Sequence, residues 1–134
     1  MIWRRRLRWA RFWWACDWLL VVSVVWGSLT PGAELPRAVN FFNDKALHAS
    51  AYFVLTFWFA GSLERAVWPT IAVMIAALGG FIEILQYWMG FGRDADLYDF
   101  YADSLGIGVA LVLLYGGLGR WMEWVERRIE SIRS

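Results

Sequence analysis

The chain has 134 residues, 60% of them hydrophobic, with 11 tryptophans and a formal net charge of +1. Soluble domains carry roughly 45–50% apolar residues, so this composition points away from an ordinary soluble globule and toward a membrane. The near-neutral charge gives no reason to expect a nucleic-acid partner, and the single cysteine, Cys16, excludes an intrachain disulfide and a thiolate metal site.

The first element opens on Arg4, Arg5, Arg6, Arg8 and Arg11 and continues as an apolar run over 12–29. A secretory signal also begins with a basic stretch. This run is long for one, Asp17 and several Trp interrupt it, and no small-residue cleavage pattern follows. It reads as a retained membrane helix, ended by Gly27 and the turn chemistry of Thr30-Pro31-Gly32.

The second predicted helix covers 46–63, with His48 as its one ionisable group. At ~1.5 Å per residue it is about 27 Å long, near the thickness of the hydrocarbon layer. The third covers 66–89, interrupted by Glu83 and Gln86, with Pro69 in its first turn, where a missing N–H costs little. The fourth covers 101–118 and contains Asp103, beside a small-residue face of Ala102, Gly106 and Ala110 suited to close helix packing in lipid. The tail over 121–133 places Trp121, Val125, Ile129 and Ile132 at helical spacing, with Glu123 and Arg127 as an i,i+4 pair, and reads as an amphipathic interfacial helix. The expected fold is therefore all-α: a single-domain, integral-membrane four-helix bundle with a short C-terminal amphipathic helix.

Ten of the thirteen basic residues fall before helix one, between helices two and three, or after helix four. The positive-inside rule then puts both termini in the cytoplasm of a bacterial inner membrane. Trp3, Trp9, Trp13, Trp14, Trp68, Trp88, Trp121 and Trp124 sit where apolar runs meet charge and read as an interfacial belt. Alternation of the four helices brings Asp44, Lys45, His48, Glu83, Gln86, Arg93, Asp94, Asp96, Asp99 and Asp103 to the outward side.

Spacing groups these residues further. Asp44, His48 and Tyr52 share a helix face, as do Glu83 and Gln86, and Asp99 and Asp103. Asp44 also suits the start of a helix, where a carboxylate meets unpaired N–H groups. Asp94 and Asp96 read as a solvated loop. The candidate catalytic groups are Asp44, His48, Glu83, Arg93, Asp99 and Asp103, and the candidate ligand-binding groups are Lys45, Tyr52, Gln86 and Arg93.

Three pieces resemble the VanZ-like family of small polytopic membrane proteins. They are Asp44-Lys45-x-x-His48-x-x-x-Tyr52 opening one helix, Glu83-x-x-Gln86 closing the next, and Arg93, then Asp99, then Asp103-x-x-Gly106 opening the last. The resemblance covers roughly 44–108. Asp103 stands where that family often has Asn, which adds a charge beside Asp99. The resemblance implies a multi-pass membrane protein with a link to teicoplanin resistance, and it names no mechanism.

Two readings of the cluster follow. In one, it is an outward-facing site for an amphipathic or lipid-linked envelope molecule. There carboxylates and His48 would do acid–base work, and Lys45 and Arg93 would hold an anion. In the other, the polar groups are interhelical glue in a scaffold or assembly subunit of a larger membrane complex. Proton or ion conduction ranks below both, because the acids gather at one end and do not line the depth of the bilayer. No cofactor is predicted; a hard cation such as Mg²⁺ or Ca²⁺ on Asp44, Glu83, Asp99 and Asp103 is the alternative. The chain has no phosphate-binding loop, nucleophile elbow or His-Glu-x-x-His motif, so no enzyme class is assigned.

Overall fold

The computed structural model describes residues 4–30, 43–90 and 96–133, and is all-helical over them, save for an isolated bridge between Arg4 and Leu63. Five helices follow in order: α1 (Ala10–Leu29), α2 (Asp44–Ser62), α3 (Trp68–Met89), α4 (Leu97–Tyr115) and α5 (Trp121–Arg133). Short 3₁₀ turns at Arg65–Val67 and Leu118–Arg120 lead into α3 and α5. The expectations placed on Trp3, Pro31, Gly32, Arg37, Arg93 and Asp94 lie outside the described residues.

Two helix starts differ from the predicted bounds, and each has a local cause. Asn43, not Asp44, caps α2, accepting the Lys45 N–H at 2.9 Å. Asp44 is instead the first helical residue, still favourably placed against the helix dipole. Helix α4 begins four residues earlier than predicted, because Asp96 caps it by accepting the Tyr98 N–H at 2.9 Å. Asp99 is thereby helical. At the other end Gly116 and Gly117 stop α4 at Tyr115, three residues short of the expected boundary.

Three helical stretches are long and apolar enough to cross a membrane: Ala10–Leu29, Arg65–Met89 and Leu97–Tyr115. The predicted span over 46–63 is not among them. Helix α2 begins Asp44-Lys45 and carries His48, Thr56 and Ser62 on its buried side. It packs against α1, α3 and α4, so its polar groups meet protein and its apolarity need not match that of its neighbours. The outward faces of those neighbours are apolar. Leu19, Val22 and Trp26 of α1, Val73, Phe81 and Ile84 of α3, and Leu105 and Val112 of α4 are exposed. An apolar exterior around a polar axial helix is the pattern expected when the surrounding solvent is lipid.

The tightest crossing joins α2 to α4. A Cβ on Gly106 would collide with the carbonyl oxygen of Ala49, so the two backbones touch. Ala110, one turn further, is fully buried. Below this crossing lies a core of Tyr52, Leu55, Ala72, Ile75 and Ile107.

At the arginine-rich end the chain ties itself off. Glu126 of α5 accepts the backbone N–H groups of Arg8 and Trp9 at 2.8 and 2.9 Å and the Trp13 indole N–H at 2.8 Å. It thus caps the start of α1 from the far end of the chain. Arg5, buried, donates to the Leu63 carbonyl at 2.8 Å and to Glu123 at 2.9 Å, placing a cation at the C-terminus of α2. Beside them Trp13, Trp58 and Trp121 form a cluster with ring centroids 5.1 to 5.9 Å apart. Trp13 and Trp68 are buried, which corrects their assignment to an interfacial belt; Trp14, Trp88 and Trp124 are exposed. The face that α5 turns inward is centred on Met122 and Glu126, and Ile132 points away.

Replacing Gly106 by Val is expected to lower stability in detergent by about 1–3 kcal/mol through overpacking. Gly108→Ala, where nothing lies within 4 Å, leaves the melting temperature unchanged or raised. Burial pushes the Glu126 carboxyl up, but the Trp9 and Arg8 N–H groups and the Trp13 indole outweigh it and hold it below the ordinary value of 4.5. The stability it contributes is therefore complete above about pH 4.5 and lost as pH falls through its lower folded value. Thermal melts from pH 7 to 3 should show this loss. Glu126→Ala should cost about 1–2 kcal/mol at neutral pH, as loss of a helix cap does, and flatten the acid limb.

Candidate functional site

The ends of three helices converge opposite the arginine-rich knot: the start of α2, the end of α3 and the start of α4. The last turn of α1 joins them through Ser28. Its carbonyl accepts from the Gln86 amide at 2.8 Å.

Lys45 is the central cation. Its ammonium bonds both Asp96 and Asp99, linking α2 to the start of α4. One turn on, His48 Nδ1 lies 2.9 Å from Asp103 Oδ1, and its Nε2 lies 3.7 Å from Asp99 Oδ2. The i,i+4 spacing of Asp99 and Asp103 on α4 thus meets the i,i+3 spacing of Lys45 and His48 on α2. Glu83, from α3, accepts the Asp96 N–H at 3.0 Å through Oε2. Its other oxygen, Oε1, is buried without a partner. Gly79, one turn before Glu83, faces the same network, and a Cβ there would sit 2.8 Å from Asp103 Oδ2.

Depth separates these groups. Asp103 is 1% exposed and His48 6%. Asp99, Gln86 and Tyr52 are also buried, whereas Asp44 is exposed and Lys45 and Asp96 are half-exposed. A buried ion or polar group has to be paired, and the His48–Asp103 contact supplies that pairing between α2 and α4.

Several expectations are sharpened here. Asp96, read as a solvated loop acid, is a helix cap and an ion-pair partner. The Lys45 ammonium and the Tyr98 N–H hold its carboxyl below the usual aspartate range. Lys45, read as an anion holder, is already neutralised by two carboxylates. Gln86 is taken up by α1, and Tyr52 is enclosed in the core. Ser28 entered through its backbone, which no side-chain pattern signals.

For a metal, Asp44, His48 and Asp99 each bring one donor atom to within 4.8 Å of the others. The Lys45 ammonium on Asp99 opposes a second cation there. The geometry thus offers an accessible acid-rich rim, Asp44 with the Lys45–Asp96 pair, over a sealed His48–Asp103 floor.

Comparison of the chain with protein-family models, curated proteins and solved structures gives no match.

The coupling between His48 and Asp103 is measurable by a double-mutant cycle with His48→Ala and Asp103→Ala in detergent. An interhelical pair of this kind is expected to contribute about 0.6–1.7 kcal/mol, and each single variant should lose more than the coupling itself because it strands the partner in the interior.

Proposed function

We propose that this chain is a VanZ-like, multi-pass protein of the bacterial inner membrane, crossing four times with both termini in the cytoplasm. Its outward polar cluster binds or modifies an amphipathic or lipid-linked molecule of the cell envelope. The observation that carries the reading is the linked network of Lys45, His48, Asp96, Asp99 and Asp103, joined by Glu83 from a third helix. Residues separated by up to 58 positions are drawn into one patch at the end of an otherwise apolar bundle, where an amphiphile in the outer leaflet would present its head. The placement of ten basic residues near the other end supports the orientation. The motif spacing supports the family and, through it, an effect on teicoplanin susceptibility.

The reaction chemistry that fits is acid–base work by His48, held in orientation through Nδ1 by Asp103, toward a head that enters past Asp44. A second reading, a non-catalytic scaffold or assembly subunit of a membrane complex, is favoured by the burial of His48 and Asp103 at 6% and 1%. Pairs sealed that deeply also serve as glue between helices.

The readings separate on the accessible and the sealed groups. Asp44→Asn and Glu83→Gln are expected to abolish any effect on teicoplanin susceptibility in cells while folded yield stays near that of the parent. Equal losses of yield and effect would support the scaffold. Cysteine labelling from the periplasmic side should reach a Cys placed at Asp44 and miss one placed at Arg128; labelling of both from one side would overturn the four-crossing topology.

A further inference from the structure

A crevice of about 500 Å³ runs between α1 and α2. Its walls are apolar, built by Leu20, Val24 and Trp26 on one side and Leu47, Ala51 and Val54 on the other. His48, Tyr52 and the backbone of Ser28 line it as well. From His48 to Leu55 it follows α2 for seven residues, about 10 Å at ~1.5 Å per residue. Its size falls within the roughly 300–1,000 Å³ of ligand-binding pockets. Protein interiors leave few voids larger than a water molecule, so an apolar groove of this size, opening beside the exposed Val22 and Trp26, is shaped for an occupant from the surrounding lipid phase.

The polar end selects the head. Among the described residues there, Asp44, Glu83, Asp96, Asp99 and Asp103 are acids, against Lys45 as the one permanent cation, itself already bonded to two of them. That balance favours a cation and repels a phosphate or sulfate. We infer that the α1–α2 crevice holds the aliphatic tail of an amphiphile whose primary ammonium head docks at the acidic rim beside Asp44. This rests on the reading of the cluster as a site for an amphipathic molecule and adds its two recognition elements, a single-chain slot and an amine-selective rim.

The test uses the full chain in phosphatidylcholine liposomes and a long-chain alkylamine bearing a diazirine in its tail, with crosslinks mapped by mass spectrometry. Labelling on the 47–55 and 20–28 segments should be saturable and competed by unlabelled alkylamine. The alkyl sulfate of equal chain length should compete at least tenfold more weakly. Labelling at Val73 and Ile84, on the outer face of α3, should rise in proportion to probe and resist competition. Ala51→Trp fills the slot and should remove the saturable component while leaving the α3 component; Ser23→Trp, at an exposed position on the same crevice, does the same with less burden on folding. Crevice labelling that is non-saturable, or unchanged in both Trp variants, overturns the tail slot, and equal competition by sulfate overturns the amine head. If labelling fails while Asp44→Asn and Glu83→Gln still abolish the cellular effect at normal yield, the slot falls and the site reading stands. If labelling succeeds while those variants only lower yield, the slot stands without the cellular role.

Discussion

The contact between Gly106 and the Ala49 carbonyl determines the geometry of the polar end. Only a residue without a side chain lets α2 and α4 approach to backbone contact, and His48 and Asp103 lie next to that crossing. At a more ordinary helix separation of 8–10 Å the imidazole and carboxylate would need longer side chains to meet. The small face of α4 is therefore a spacing device as well as a packing surface. It brings two ionisable groups into hydrogen-bond range inside an apolar bundle and lets each satisfy the other.

The two ends of the bundle use charge differently. At the arginine-rich end, carboxylates and cations terminate helices: Glu126 caps α1 and Arg5 meets the C-terminus of α2. At the other end, Asp96 caps α4, but Lys45, His48, Asp99, Asp103 and Glu83 bridge helices side to side. The first arrangement closes the chain on itself. The second leaves acidic groups at the surface above a buried pair, and that surface carries the proposed chemistry.

Much of this was legible in the sequence, for identifiable reasons. Helical spacing put Lys45 with His48 and Asp99 with Asp103, and the Ala102-Gly106-Ala110 stripe indicated that Asp103 faces a neighbouring helix; the structure brings all of these together. What stayed hidden depends on tertiary partners. Glu126 reads as one more solvated acid on a tail helix until the start of α1 is folded beneath it. Trp13 and Trp68 read as interfacial because indole at a charge boundary looks the same whether it meets lipid headgroups or other indoles. Asp96 reads as loop because a cap is defined by the helix it starts, and that helix begins four residues before its apolar run. The hydropathy of α2 was judged against lipid, whereas its polar positions meet only protein.

The enclosure of α2 bears on how the protein is made. A segment that begins Asp44-Lys45 and buries His48, Thr56 and Ser62 partitions poorly into hydrocarbon on its own, yet its main partner, α4, leaves the ribosome some fifty residues later. The growing chain must therefore hold a reluctant hairpin at the insertion site until its last long helix arrives. Closure by Glu126, eight residues from the C-terminus, comes later still, so assembly of this bundle completes after translation ends.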